Sequence, residues 1–119
     1  MSQRTEADRI QDLIDALNEI PGIEFTEDAW NEKAPNNYGV VELDGEARND
    51  YADGIKIAQA FTVRITIYVS GGSHRWINEV QRVLKENKLR FSMPSRQYLN
   101  DIGKVSWVWN TQIRMPVTM

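Results

Sequence analysis

The segment from Ala60 to Ser70 alternates apolar and polar residues, and it constrains the fold more than any other part of the chain. This alternation is typical of a β-strand, because successive side chains point to opposite faces of a sheet. One face would carry Phe61, Val63, Ile65, Ile67 and Val69, and the other Thr62, Arg64, Thr66, Tyr68 and Ser70. The sequence therefore predicts a central strand with one core face and one wetter face.

Two segments instead place apolar residues at the spacing of an amphipathic helix. The first spans residues 5–20, with Thr5 as its cap, Pro21-Gly22 as its stop, and an apolar stripe of Ile10, Leu13, Ile14, Leu17 and Ile20. The second begins at a capping Ser73 and carries Trp76, Ile77, Val80, Val83 and Leu84. Its outer positions Arg75, Glu79, Arg82 and Glu86 predict a row of surface ion pairs.

Four further strands complete the prediction. They are Ile23 to Thr26, Tyr38 to Leu43, a strand built on Leu89, Phe91 and Met93, and a last strand from Lys104 to Met115. The acidic stretch from Asp44 to Gly54 is expected to be a long loop at the tip of a hairpin, and Tyr98 to Gly103 a connection. We expect an α+β fold in the order α-β-β-β-α-β-β, with two helices packed on a mostly antiparallel sheet. Residues 1–119 should form a single domain, because this length is typical of one.

Composition and motifs argue against several classes of function. The chain contains no cysteine, which excludes disulfides, thiolate zinc sites and a thiol nucleophile. No apolar run reaches the roughly 20 residues that cross a bilayer, and the start of the chain is polar, so we expect no membrane association. Ser73 and His74 lack the glycine pattern of a nucleophile elbow, and the acidic stretch lacks oxygen donors that a calcium loop requires. We therefore predict no catalytic residues, no metal site, no cofactor and no enzymatic activity.

Charge is divided unevenly along the chain. Residues 1–60 contain 14 acidic and 5 basic side chains, whereas residues 61–119 contain 3 acidic and 9 basic ones. The basic residues are dispersed, so we expect no specific binding of nucleic acid. The two halves could neutralise each other within one monomer. Alternatively, an acidic face could meet the basic face of a neighbour in a head-to-tail ring.

Several aromatic residues are candidates for contacts between subunits or with partners. Trp107 and Trp109 would share one face of the last strand, where they could fill the core or form an oligomer interface. Trp30 follows the first strand in a polar segment, which favours a contact role. At the tip of the hairpin, Tyr51 is a candidate anchor, together with the neighbouring Asp50 and Asp53.

The ordered set of these segments resembles the tail terminator, or tail-completion, proteins of long-tailed bacteriophages. The resemblance covers nearly the whole chain. It rests on a first helix that leads into Ile20-Pro21-Gly22-Ile23-Glu24-Phe25, on the strand Tyr38 to Leu43, and on Phe61-Thr62-Val63-Arg64-Ile65-Thr66-Ile67-Tyr68-Val69 before a helix and a closing strand pair. The family has no catalytic signature.

The resemblance implies a structural virion protein that forms a homo-oligomeric ring, a hexamer, on the end of the tail tube. Its partners would be the tail-tube protein and a head-completion or connector protein, and it would need no cofactor. It would lie at the tail–head junction of the virion and in the host cytoplasm during assembly. The alternatives are another phage neck or head–tail connector protein, a tail-tube component, or a small non-viral adaptor domain.

Overall fold

The computed structural model describes residues 6–30, 35–52, 54–71 and 73–116. Its elements in chain order are the helix α1 (Glu6–Leu17), the strands β1 (Glu24–Glu27), β2 (Tyr38–Ala52) and β3 (Ile55–Val69), the helix α2 (Ser73–Glu86), and the strands β4 (Ser95–Leu99) and β5 (Lys104–Pro116). The strands form one sheet in the order β1-β2-β3-β5-β4. The first pair is parallel and the others are antiparallel. The predicted α+β fold and order of elements are confirmed.

Both helices pack on the same face of the sheet. Alternate residues of β3 and β5 share one buried cluster with the apolar stripes of the helices, and the strand members include Val63, Ile65, Ile67, Val69, Trp109 and Ile113. Trp109 is fully buried, and its Nε1 donates to Oε1 of Gln81 on α2 at 3.3 Å. Trp107 is partly buried and packs against the same cluster. The two tryptophans therefore lie on the core face, as the first of the two interpretations predicts.

The helix α1 ends at Leu17, earlier than the predicted Ile20. The next residue, Asn18, uses its side-chain amide to accept from the backbone N of Phe25 at 2.7 Å and to donate to the Phe25 carbonyl at 3.1 Å. The backbone N of Asn18 still donates to the Ile14 carbonyl at 2.9 Å, so the side chain is free to bond to the strand. The amide therefore attaches the end of the helix to β1. The predicted cap Thr5 lies outside the described residues.

The prediction of a long acidic loop from Asp44 to Gly54 is wrong. The strand β2 runs on to Ala52, and its backbone pairs with β3 as far as Ala52 opposite Ile55, with shifts in register along the way. Asp, Asn and Gly disfavour strands locally, but pairing with neighbouring strands overrides that preference. The hairpin is therefore a long ribbon with a short turn.

The predicted fourth strand is also misplaced. Among Leu89, Phe91 and Met93, only Phe91 makes a bridge, opposite Thr111, and Met93 is 82% exposed. The observed β4 is Ser95–Leu99, a largely exposed strand at the edge of the sheet. Because an edge strand buries little, its sequence lacks the apolar alternation by which buried strands are recognised.

Candidate functional site

The face of the sheet opposite the helices is the main candidate surface, and we call it the open face. It carries Tyr38, Tyr68 and Ser106 in one row across β2, β3 and β5, and Val40, Thr66 and Val108 in the next row. No helix within the described ranges packs on it, since the stripes of α1 and α2 belong to the cluster on the other face. Val40, Thr66 and Ser106 on this face are buried, whereas Tyr38, Tyr68 and Val108 are partly exposed and can contact another molecule.

Three aromatic side chains meet at one end of the open face, and we call them the aromatic cluster: Trp30, Tyr38 and Tyr68. Tyr38 stacks on its cross-strand partner Tyr68, with ring centroids 4.8 Å apart and an angle of 22° between the planes. Trp30 meets Tyr38 edge-on at 6.2 Å and 78°. Its Nε1 donates to the carbonyl of Gly39 at 3.3 Å. The rings are held by strand register and by this hydrogen bond.

Lys104, at the start of β5, fixes the chain around the aromatic cluster. Its ammonium lies 5.9 Å from the centre of the Tyr38 ring and donates to the backbone carbonyl of Asn36 and, at 3.2 Å, to Asn36 Oδ1. Asn36 Nδ2 in turn donates to Ser70 Oγ at 3.3 Å, and the backbone N of Ser70 donates to Asn37 Oδ1 at 3.4 Å. These contacts connect the segment before β2 with the end of β3 and the start of β5, so the cluster lies on a well-connected end of the sheet.

The surroundings of Tyr68 disfavour ionisation of its phenol. Burial raises the pKa of Tyr68 above its ordinary value of 10.0, and the nearby Tyr38 and Glu42 raise this pKa further. A neutral phenol can both donate and accept a hydrogen bond, and its ring offers a large flat contact area. This arrangement is suited to holding the surface of a partner molecule.

The structure separates the residues predicted to make contacts. Trp30 belongs to the aromatic cluster beside the first residue of β2, whereas the backbones of Asp50 and Tyr51 lie near the far end of that strand. At about 3.3 Å per residue, the two ends of β2 are roughly 40 Å apart. Asp53 lies outside the described residues, as do the side chains of Asp50 and Tyr51. The predicted contacts therefore belong to two distant regions.

Sequence analysis did not predict Tyr38, Tyr68 and Lys104 as a group. The alternation places Tyr68 on the wetter face of its strand, but no local pattern indicates that Tyr38 lies directly opposite it. The register of β2 against β3 brings the two rings together, and the register of β3 against β5 brings Lys104 to the same end. A pattern of tyrosines on the wetter faces of paired strands is the signal that could have indicated the cluster.

The other predicted features are on α2 and elsewhere on the surface. Arg82 forms ion pairs with Glu79 at 2.7 Å and with Glu86 at 3.0 Å, which confirms most of the predicted row. Arg75 instead donates to the carbonyl of Pro21 at 3.4 Å and lies over the ring of Trp76. Within the part of the chain that the structure describes, no three side chains are grouped to hold a metal ion, and no helix is long and apolar enough to cross a membrane.

Comparison of the sequence with protein-family models finds no match, and comparison with curated proteins finds no significant similarity.

Proposed function

We propose that this chain is a structural virion protein that caps the tail tube of a long-tailed bacteriophage as a ring. The ring would end tail polymerisation and form the joint to the head connector. The observation that carries this proposal is the one-sided sheet. Among the described residues, no helix covers its second face and neither edge strand has an outer partner, and such surfaces can pack against other protein chains. The resemblance of the sequence to tail terminator proteins supports the same conclusion.

The shape of the molecule supports a role in assembly. The chain measures 52 × 27 × 26 Å, and its radius of gyration is 15.7 Å. A compact domain of this length would have a radius of gyration of about 13.5 Å. The excess agrees with the long β2–β3 hairpin, whose two strands have 15 residues each. Such an extension can reach a neighbouring subunit or the end of a tube.

The proposed mechanism is steric and needs no cofactor. One surface of the ring would reproduce the contacts that the next tail-tube subunit makes, and the opposite surface would not template further growth. A closed ring requires head-to-tail contacts, in which each subunit offers one surface to the neighbour on its left and another to the neighbour on its right. The partners are further copies of the chain, forming a hexamer, the tail-tube protein and a head-completion protein.

The aromatic cluster is the surface that we assign to a partner contact. Tyrosine and tryptophan side chains bury a large contact area and lose little conformational entropy on binding. They are common among the residues that dominate the binding energy of protein interfaces. Trp30, Tyr38 and Tyr68 are all only partly exposed, so their rings are already oriented before a partner arrives. This preorganisation reduces the entropy lost on binding.

The test of capping combines mass measurement with imaging. Light scattering over a concentration series gives the assembly state, and negative-stain microscopy follows it with and without polymerised tail tubes of the phage that encodes the chain. A closed ring in solution, or a monomer that becomes a ring on tube ends, is expected. Open polymers would favour a tail-tube component instead, and a monomer indifferent to tubes would favour an adaptor domain.

Matched variants test the aromatic cluster within the same experiment. Tyr38→Ala should weaken ring formation or attachment to tubes, because it removes the ring that contacts both Trp30 and Tyr68. Tyr98→Ala is the control, since Tyr98 is 53% exposed on β4 and lies outside the cluster. Thermal unfolding of both variants establishes that they fold. Equal behaviour of the two folded variants would remove the cluster from the proposed contact surface.

A further inference from the structure

Besides the edge strands β1 and β4, the strands β2 and β5 have stretches of outer edge without a strand partner in the described part of the chain. β1 pairs with β2 only from Tyr38 to Val41, which leaves the outer edge of β2 open from Glu42 to Ala52. β4 pairs with β5 only from Lys104 to Val108, and a single bridge at Thr111 follows. From Gln112 to Pro116 the outer edge of β5 is open as well. Open edges are templates for an added strand.

A groove lies beside the open edge of β5. It has a volume of about 600 Å³ and is lined by Ala60, Thr62, Lys88, Arg90, Phe91, Ser92, Asn110, Thr111 and Gln112. The last backbone hydrogen bond along this edge is donated by Ser92 N to the Asn110 carbonyl at 3.4 Å. Lys88 and Arg90 are exposed, and no acidic residue lines the groove. The groove is therefore a basic site next to unpaired strand backbone.

The conformation of Lys88 adds a second observation. The helix α2 ends in a turn in which Leu89 N donates to the Leu84 carbonyl and Lys88 N to the Lys85 carbonyl, and Lys88 has a φ of 60°. This position of such a turn is usually glycine, because other residues are strained there. A lysine at this position is strained, and it places a cation among the residues that line the groove. Strained residues of this kind are often found at binding sites.

The open edge of β2 has the opposite charge. From Glu42 to Ala52 its sequence contains four acidic residues, Glu42, Asp44, Glu46 and Asp50, and one basic residue, Arg48. The groove beside β5 contains two cations. An extended acidic strand is the occupant that best complements this groove in charge, and the chain itself provides one at the opposite edge of its sheet.

The directions of the strands make the contact head-to-tail. β2 and β5 both run antiparallel to β3, so they point the same way within one sheet. A second copy rotated about an axis along the strands would bring its β2 beside the β5 of the first copy as a parallel pair. Repeating that rotation adds copies in one direction, and the series closes when the rotations complete a circle.

We propose that the basic groove at the edge of β5 binds the acidic edge of β2, from Glu42 to Ala52, in a second copy of this chain. The two sheets then continue into each other across the subunit interface. This inference rests on the proposed ring, and it identifies the surfaces through which the ring forms.

Charge reversal on each surface tests the proposal in the full-length protein. The groove variant is Lys88→Glu with Arg90→Glu, and the strand variant is Glu46→Lys with Asp50→Lys. Each variant should raise the protein concentration at which half of the chains are assembled by roughly tenfold or more, because like charges would meet at the contact. A 1:1 mixture of the two variants should recover assembly, since every contact between unlike variants again joins opposite charges. Lys85→Glu with Arg96→Glu, two exposed cations outside the groove, is the control with the same change in charge.

Lys88→Gly provides a variant whose fold is not at risk. Glycine adopts the left-handed conformation of this position without strain, so thermal stability should be maintained or increased. Assembly should nevertheless weaken, because one cation of the groove is lost. Unchanged assembly in this variant and in the groove variant would overturn the proposal.

Cross-linking tests the direction of the contact, because the natural chain contains no cysteine. A chain with Gln112→Cys, mixed with a chain carrying Arg48→Cys, should give covalent heterodimers with a short bismaleimide. Neither chain alone should cross-link, and Met93→Cys, at an 82% exposed site, is the control partner. Cross-linking of Gln112→Cys with itself would indicate a two-fold contact and overturn the head-to-tail proposal.

The outcomes separate this inference from the proposed capping. If rings form on tubes equally well in both charge-reversal variants, the capping proposal stands and the pairing of edges is overturned. If the charge reversals weaken ring formation but the rings do not bind to tubes, the pairing of edges is supported and capping is overturned. A chain that stays monomeric alone and loses attachment to tubes on groove reversal would assign the groove to a strand of the tube protein, which also overturns pairing between copies.

Discussion

The ring of Phe25 lies directly over Gly39, its partner in the parallel pair β1–β2. A Cβ added at Gly39 would lie 2.3 Å from two ring atoms of Phe25, far inside contact distance. Phe25 is itself buried on the core face. The missing side chain at position 39 is therefore part of the packing, which explains why glycine interrupts the alternation of this strand.

Gly39→Ala should lower the free energy of unfolding by about 1–3 kcal/mol, because the Phe25 ring must move out of its place in the core. Urea denaturation at equilibrium measures this change. Gly71→Ala is the matched control, since a Cβ there meets nothing within 4 Å, and it should change the free energy by less than about 0.5 kcal/mol. Equal effects of the two substitutions would contradict the packing role assigned to Gly39.

Tyr68 should make the stability of the protein depend on alkaline pH. Its pKa in the folded protein is raised above the ordinary value of 10.0 by burial, Tyr38 and Glu42, so the folded state keeps the phenol proton to higher pH than the unfolded state does. The resulting contribution to stability is complete below pH 10 and is lost as the pH rises through the raised pKa. Stability should therefore fall with pH in this range.

Absorbance titration of the tyrosinates, followed by urea denaturation above pH 10, tests this expectation. Tyr68→Phe should remove the part of the absorbance change that titrates above pH 10.0. It should also make the free energy of unfolding decrease less steeply with pH. Tyr98→Phe, at a residue 53% exposed, should leave that part of the absorbance change in place. A late component that persists in Tyr68→Phe would show that another group is responsible.

At the scale of elements, the connection from α1 to β1 depends on one side chain. The amide of Asn18 makes two hydrogen bonds to the backbone of Phe25, and both groups of that backbone lie at the edge of the sheet. Asn18→Ala should lower the free energy of unfolding by about 1–3 kcal/mol, because partly buried backbone groups lose their partners. Thermal unfolding measures the loss, and Asn100→Ala, at an exposed turn, should be close to neutral. Equal midpoints for the two variants would contradict the role of Asn18.

Local periodicity predicts the elements that face the core, including the short edge strand β1, and fails for the largely exposed β4 and for the far half of β2. The alternation in β3 and β5 and the stripes of α1 and α2 give the correct face, because burial imposes the pattern. The extension of β2 beyond Leu43 could not be predicted, since it depends on pairing with β3 rather than on its own residues. Leu89, Phe91 and Met93 alternate without forming a strand, because the turn at Lys88 and the bridge at Phe91 fix that segment otherwise.

The same distinction applies to the candidate site. The polar surroundings of Trp30 predict a contact role, and the structure places its side chain against Tyr38. Tyr38, Tyr68 and Lys104 come together only through the registers of two strand pairs, which a local pattern does not contain. The basic groove likewise joins the end of α2 to the edge of β5, residues that are far apart in sequence.

At the scale of the whole molecule, the order of the strands determines where the acidic and basic halves of the chain lie in the sheet. β1 and β2 come from the acidic half of the chain, and β4 and β5 from the basic half, with β3 between them. One side of the sheet is therefore formed by strands from the acidic half of the chain, and the other side by strands from the basic half. The register of β2 against β3 also places Glu42 opposite Arg64, so the two halves meet in the middle of the sheet. The proposed pairing of edges uses the strands on either side of this region.

Assembly through these edges should weaken as salt is added. The Debye length falls from about 10 Å at 0.1 M salt to about 3 Å at 1 M, so attraction between exposed charges is screened. Light scattering at constant protein concentration should show the mean mass falling between these two conditions, while the midpoint of thermal unfolding changes little. The groove variant Lys88→Glu with Arg90→Glu should show a smaller or reversed dependence on salt, because screening then relieves repulsion. Assembly that strengthens with salt in the natural chain would instead indicate apolar contacts, with the open face as the main interface.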